Sequence, residues 1–188
     1  MKRVKAEISA RHLHISRPHL DKLFGKGYEL KGIKDLSQPG EFAATERVEV
    51  IGPKGKMMMR IVGPTRKQTQ IELALTDARV LGVNPVFRVS GDLKGAPGGV
   101  TLKGPKGSLK LTTGVIIPKR HLHISIADAK KWKLKNGQKL KAIVKGTRAM
   151  EIREITVRVG NFSTSIHLDT DEANAAGLLT CSYVDLEI

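Results

Sequence analysis

Apolar and polar residues alternate with period two along much of this chain. Val4-Lys5-Ala6-Glu7-Ile8 and Arg47-Val48-Glu49-Val50-Ile51 are the clearest runs, and Met57–Val62, Leu109–Leu111, Leu140–Val144 and Ile155–Val159 continue the pattern. Such alternation predicts strands with one face on a core and the other toward water. Gly-Pro at 52–53, 63–64 and 104–105 and Gly-Gly at 98–99 separate the runs. Turn signals this frequent break helices. Helical segments are predicted only as short pieces. One follows Ser16 as N-cap, with Pro18 in its first turn and Gly25 after its end; another follows Ser125; two more close at Gly82 and Gly177. Many short strands with few short helices predict a mainly β fold of barrels or sandwiches, not a parallel α/β sheet.

The hexapeptide Arg-His-Leu-His-Ile-Ser occurs at Arg11–Ser16 and again at Arg120–Ser125, and holds four of the six histidines. The likeness continues beyond it. Lys26-Gly27-Tyr28-Glu29-Leu30-Lys31 parallels Asn136-Gly137-Gln138-Lys139-Leu140-Lys141, and Ile71–Ala78 aligns with Ile166–Ala173. An internal duplication therefore predicts two related β-barrel domains with short capping helices. The first is residues 1–115 and the second 116–188, with the boundary near Thr112–Pro118; the first strand is a candidate to pack on the second domain. The segment Ser90–Gly99, the richest in glycine, is either a surface connection or a loop over the site.

In a strand His12 and His14 project from one side and Leu13 and Ile15 from the other. A His-x-His pair can reach one metal ion, but two ligands alone do not make a site. The alignment supplies a third: Glu72 falls opposite His167, both flanked by apolar residues. Each half then offers three ligands, His12, His14 and Glu72 in one and His121, His123 and His167 in the other. Three protein ligands with an open fourth position is the pattern of catalytic zinc, although imidazole with carboxylate suits other divalent metals as well. His19 breaks the repeat and reads as a surface residue. Arg66 leads into Glu72 through Gly63-Pro64-Thr65-Arg66-Lys67-Gln68-Thr69-Gln70, and its planar fork suits phosphate or carboxylate oxygens. The alternative for Arg66 is an exposed loop arginine.

Composition narrows the function. With 188 residues, a formal net charge of +15 and seven aromatics, the chain is strongly basic but has few platforms for stacking bases. Its lysines form no dense run, so the charge reads first as a solvated basic surface, next as attraction for a polyanionic small substrate, and last as a nucleic-acid interface. No apolar stretch reaches 18 residues, which argues against a membrane span, and no apolar signal segment follows the basic N-terminus. The single cysteine, Cys181, fits a reducing cytosol, with a small core residue as its role.

Five elements in order resemble the PduL-type phosphate propanoyltransferases, a phosphotransacylase family: Ser9-Ala10-Arg11-His12-Leu13-His14, the segment 63–70, Ser90-Gly91-Asp92-Leu93, Lys119-Arg120-His121-Leu122-His123, and His167–Asn174. The resemblance spans nearly the whole chain. It implies two β-barrel domains, a two-zinc site between them, a homodimer, and the reaction acyl-CoA + phosphate ⇌ acyl phosphate + CoA. By the same resemblance His12, His14 and Glu72 hold one zinc, whose open position takes the CoA sulfur, and His121, His123 and His167 hold the second. Arg66 binds phosphate, and Ser9, Lys34, Arg60 and Asn174 contact CoA. Leu stands in the middle of both His-x-His pairs where Val or Ile is common, and Pro118 stands where a small residue is usual. Family members sent to microcompartments carry an N-terminal amphipathic extension. A native start at Met1 implies a cytoplasmic enzyme and leaves acetyl-CoA as plausible a substrate as the propanoyl-CoA of propanediol degradation.

Direct transfer of the acyl group needs no protein nucleophile. Two other readings use the same residues: a metal-dependent thioesterase or phosphoesterase with water in the open position, and a basic nucleic-acid-binding β-barrel.

Overall fold

The computed structural model describes residues 1–179 and 182–188; the core role expected for Cys181 lies outside the described residues. In chain order the elements are β1 (Lys2–Ser9), β2 (His12–His14), α1 (Arg17–Phe24), β3 (Gly32–Asp35), β4 (Phe42–Ile51), β5 (Lys56–Gly63), β6 (Gln70–Glu72) and α2 (Leu75–Leu81). Then follow β7 (Val86–Arg88), β8 (Pro97–Lys103), β9 (Ser108–Thr113), β10 (Val115–Pro118), β11 (His121–Ser125), α3 (Ile126–Trp132), β12 (Lys139–Val144), β13 (Met150–Gly160), β14 (Ser165–Asp169), α4 (Thr170–Ala175) and β15 (Ser182–Glu187). The fold is mainly β.

The chain forms two compact units, Arg11–Pro118, and Met1–Ala10 together with Lys119–Ile188. The division falls after Pro118, since Val115–Pro118 is a strand of the former, and β1 belongs with the C-terminal residues. That C-terminal unit is a closed six-stranded barrel, β1-β14-β11-β13-β12-β15. β1 joins its ends by pairing parallel to β14 and antiparallel to β15. Its core comprises Val4, Ala6, Leu122, Ile124, Ile155, Val157, Ile166, Leu168, Val184 and Leu186 among others.

The unit Arg11–Pro118 departs from the expected second barrel. It is an open sheet in the order β7-β10-β6-β2-β5-β4-β8-β9, with β3 paired to β4. The reason lies in its strand edges. β10 pairs with β6 on one side and β7 on the other, while β8 lies between β4 and β9. Neither β10 nor β8 keeps an edge with which to close the ring. Leu13, Ile61, Ile71, Val48, Val50 and Leu102 form its core with Leu20 and Leu23 of α1. Even so, four central strands repeat the barrel's arrangement: β6-β2-β5-β4 has the same order and the same parallel and antiparallel senses as β14-β11-β13-β12.

Most of the helix signals act as the sequence suggests. Ser125 Oγ accepts the Asp128 amide at 3.0 Å, and Asp169 and Glu172 cap α4 reciprocally. Gly82 closes α2 at φ 73°, a left-handed conformation that favours glycine. Ser16 takes the N-cap position of α1 without a side-chain cap bond. The glycine-rich stretch is not all loop, because β8 begins at Pro97.

Candidate metal centres

The ligand strands pair in the same register in both units. On β2 and β6, His12 lies opposite Glu72, Leu13 opposite Ile71 and His14 opposite Gln70. On β11 and β14, His121 lies opposite His167, Leu122 opposite Ile166 and His123 opposite Ser165. Directly opposed residues of an antiparallel pair share a face. Leu13 and Leu122, both fully buried, therefore anchor each strand in its core while the imidazoles gather on the other side.

Each gathering can hold a metal ion: the ligand atoms of His12, His14 and Glu72 lie within 4.8 Å of one another, as do those of His121, His123 and His167. His12 Nε2 is 3.7 Å from Glu72 Oε2, and His14 Nε2 is 4.0 Å from Oε1. Tetrahedral zinc at bonds of about 2.0 Å spaces its donors by about 3.3 Å, slightly closer than these separations.

The imidazoles are prepared as ligands. His14 Nδ1 lies 3.1 Å from the Val62 carbonyl and His121 Nδ1 2.8 Å from the Lys119 carbonyl. A carbonyl only accepts, so in the neutral ring Nδ1 carries the proton and Nε2 keeps its lone pair. Burial lowers the pKa of His14 to about 3, with His12 and Arg66 adding to the shift. Burial, then His121, His167 and Arg158, lower that of His123 to about 2. Burial pushes the Glu72 carboxyl up, but His12, His14, the Ser90 hydroxyl and Arg66 outweigh it and bring the value to about 2. At neutral pH His14 and His123 are thus neutral and Glu72 is ionised, the states that bind metal.

His123 gives the strongest sign of a missing partner. It is 8% exposed and stacked on Phe162 at 4.1 Å between centroids, and neither ring nitrogen has a hydrogen-bond partner. Buried polar atoms are nearly always satisfied. A histidine kept as core filling would show such a bond; a metal ligand need not show one until the ion is bound.

The arginine of each hexapeptide is also accounted for. Arg11 Nη1 donates to Asp77 Oδ1 at 2.9 Å, and Arg120 Nε donates to Glu172 Oε1 at 2.6 Å. Asp77 and Glu172 stand at the same position, three residues past the N-cap, in the helix following the third ligand. Each pair ties the residue preceding the His-x-His strand to the helix that follows its partner ligand.

Arg66 precedes β6, its amide bonded to the Ile15 carbonyl at 2.9 Å. Its charge acts on both His14 and Glu72. The guanidinium is a third exposed and pairs with Glu41 Oε1 at 2.7 Å. It is therefore neither free nor a simple surface group. Arg60 lies on β5 opposite His12, with its guanidinium bonded to the Ala44 carbonyl. Lys34 is exposed on β3, in register with Ala43 of β4. In the barrel unit Ser9 lies opposite Asp169 in register, and Asn174 is on α4.

Other residues at the sites carry no repeat or ligand spacing. Glu41 joins Arg66, Gln70 and Ser90 bond to Glu72, and Glu7 Oε2 stands 3.6 Å from His167 Nε2. Alternation could have indicated Glu7, which shares a face with Lys5, and Gln70, which shares a face with Glu72 on β6; Glu41 and Ser90 meet their partners only in three dimensions. His19 also departs from its surface reading. It is half-buried, with Nδ1 2.8 Å from Thr69 Oγ1 in the Arg66 segment.

Residues 5–179 match the family model described as phosphate propanoyltransferase. The chain belongs to the phosphate propanoyltransferase family. These are acyltransferase enzymes by name. The phosphate propanoyltransferase of Thermotoga maritima is 48% identical over 180 residues, 94% of this chain and 85% of that protein. Those of Enterococcus faecalis and Leptotrichia buccalis are 46% and 47% identical, over 93% and 91% of this chain and 83% and 82% of theirs. Among the described residues no helix is long and apolar enough to cross a membrane.

Proposed function

We propose that this chain is a phosphotransacylase that reversibly moves a short acyl group between CoA and inorganic phosphate, and that it holds two zinc ions, one at each triad. The observation that carries the metal assignment is the buried His123 ring without a hydrogen-bond partner, set among two further imidazoles. Family membership supports the reaction.

The chain's own residues have definable parts in it. His12, His14 and Glu72 make one donor set and His121, His123 and His167 the other. Metal bound there supplies Lewis-acid charge that favours a thiolate leaving group and offsets phosphate charge. Arg66 binds phosphate through its planar fork, with Glu41 holding the guanidinium in place until the anion arrives. Ser9, Lys34, Arg60 and Asn174 contact CoA. Holding both substrates makes the exchange effectively unimolecular, and phosphate attacks the thioester carbonyl directly with CoA leaving.

The repeated hexapeptide, strand order and register support descent of the two units from one duplicated ancestor. We also propose a homodimer, tested by light scattering against the 20.5 kDa chain mass, and a cytoplasmic location, tested by cell fractionation. The activity test is CoA release from acetyl-CoA and propanoyl-CoA, followed with a thiol reagent, with and without phosphate. Phosphate-dependent release supports the transferase, and the ratio of rates gives the acyl preference. Equal release without phosphate replaces it with a thioesterase.

A further inference from the structure

Gln70 and Ser90 carry none of the proposed chemistry, yet both bond to a proposed ligand. Gln70 is 2% exposed, and its Nε2 donates to Glu72 Oε1 and, at 3.0 Å, to Ser90 Oγ. Ser90 Oγ donates to the same Oε1 at 2.6 Å, and the Gly91 amide donates to Gln70 Oε1 at 2.9 Å. These bonds have only one consistent direction. A backbone N–H can only donate, so the Gln70 oxygen faces Gly91 and its NH2 faces Glu72. Ser90 then accepts from Gln70 and has one proton, which goes to Glu72.

A carboxylate oxygen has two lone-pair sites, and on Oε1 the two donors fill both. Oε2 is the oxygen that faces His12, at 3.7 Å. We infer that Gln70 and Ser90 are positioning residues that occupy Oε1 of Glu72, leave Oε2 as its single oxygen donor, and so set the affinity and coordination number of the metal site in the Arg11–Pro118 unit. This rests on the metal reading proposed above. The Ser90–Gly91 turn is then more than a connection between strands, because Ser90, 18 residues beyond Glu72, is bonded to the ligand itself. The barrel unit has a simpler counterpart. Ser165, two residues before His167, lies 3.0 Å from its Nε2, and an imidazole has no carboxylate oxygen pair from which one must be held back.

The test uses Ser90→Ala in the full chain, loaded with zinc and challenged with a chelator of known affinity. Removing such a partner of a metal ligand weakens binding about 10–100-fold. One of two metals is expected to weaken by that factor, the other to stay unchanged, and Ser90→Thr to restore the wild-type value. In the cobalt(II)-loaded Ser90→Ala chain the visible absorption is expected to weaken, because a freed Oε1 raises the coordination number. A purely structural serine would move neither readout at one site alone. If Ser90→Ala does not fold, Gln70→Met removes a donor at similar length and carries the same expectations. A wild type with two metals and a variant with both affinities and the cobalt spectrum unchanged overturns this inference alone. A wild type that takes up no metal at the Glu72 triad overturns the metal reading and this inference with it.

Discussion

His123→Leu separates a metal ligand from a core histidine through stability alone. In the metal-free chain the buried ring has two nitrogens without partners. An unsatisfied buried polar group costs about 1–3 kcal/mol. Leucine has similar volume, no polar atom, and Phe162 to pack against. The metal-free variant is therefore expected to be more stable than metal-free wild type by about 1–2 kcal/mol, or roughly 5–10 °C in Tm for a unit of this size. Acid should widen the gap. The pKa of His123 is about 2 in the fold, against 6.5 ordinarily. Below pH 6.5 the unfolded chain therefore binds a proton that the folded chain does not, and stability present above 6.5 is lost as pH falls. The slope is about 1.4 kcal/mol per pH unit, so roughly 2 kcal/mol is lost by pH 5. Leucine does not titrate and escapes this loss. With zinc present the order should reverse, because a bound ion stabilises wild type by about 4 kcal/mol at a thousand times its Kd. Thermal melts of chelated and zinc-loaded protein at pH 7 and pH 5 read all three effects. A metal-free variant less stable than wild type at both pH values would overturn this chain of inference and make His123 a satisfied core residue.

Three further outcomes follow from the same geometry. Glu72→Ala removes the only carboxylate of its triad and should lower bound metal from two per chain to one by elemental analysis, with activity lost in parallel. Arg66→Ala should raise the KM for phosphate about 10–100-fold, the range expected for a charged hydrogen-bonded contact of about 1.5–3 kcal/mol, while metal content stays unchanged. Leu13→Ala, at a fully buried position between His12 and His14, should cost about 2–5 kcal/mol in urea unfolding and loosen metal binding in the same unit.

What was legible in the sequence follows the reach of each signal. Alternation located most of the long strands, because one face of each is buried. The register of the ligand strands could be read because the repeated hexapeptide fixed the alignment of Glu72 with His167. The short strands β3, β7 and β10 carry too few residues for a period to show, and β10 is buried at all four positions. The open sheet was hidden because closure depends on which edges β7 and β9 occupy, and alternation within a strand does not report its neighbours. Arg66 could be singled out by its place before Glu72, but its pairing with Glu41, 25 residues earlier, could not. The bond from Ser90 to Glu72 likewise depends on a turn whose path only the fold defines.

If metal at the two triads supports acyl transfer to phosphate, activity must follow metal content. The decisive experiment strips the protein with a chelator, returns zinc in known equivalents, and follows phosphate-dependent CoA release at each step. Little activity is expected in the stripped chain, with a rise that saturates at about two equivalents per chain. Full phosphate-dependent release from a chain shown to be metal-free would contradict the metal assignment at its root.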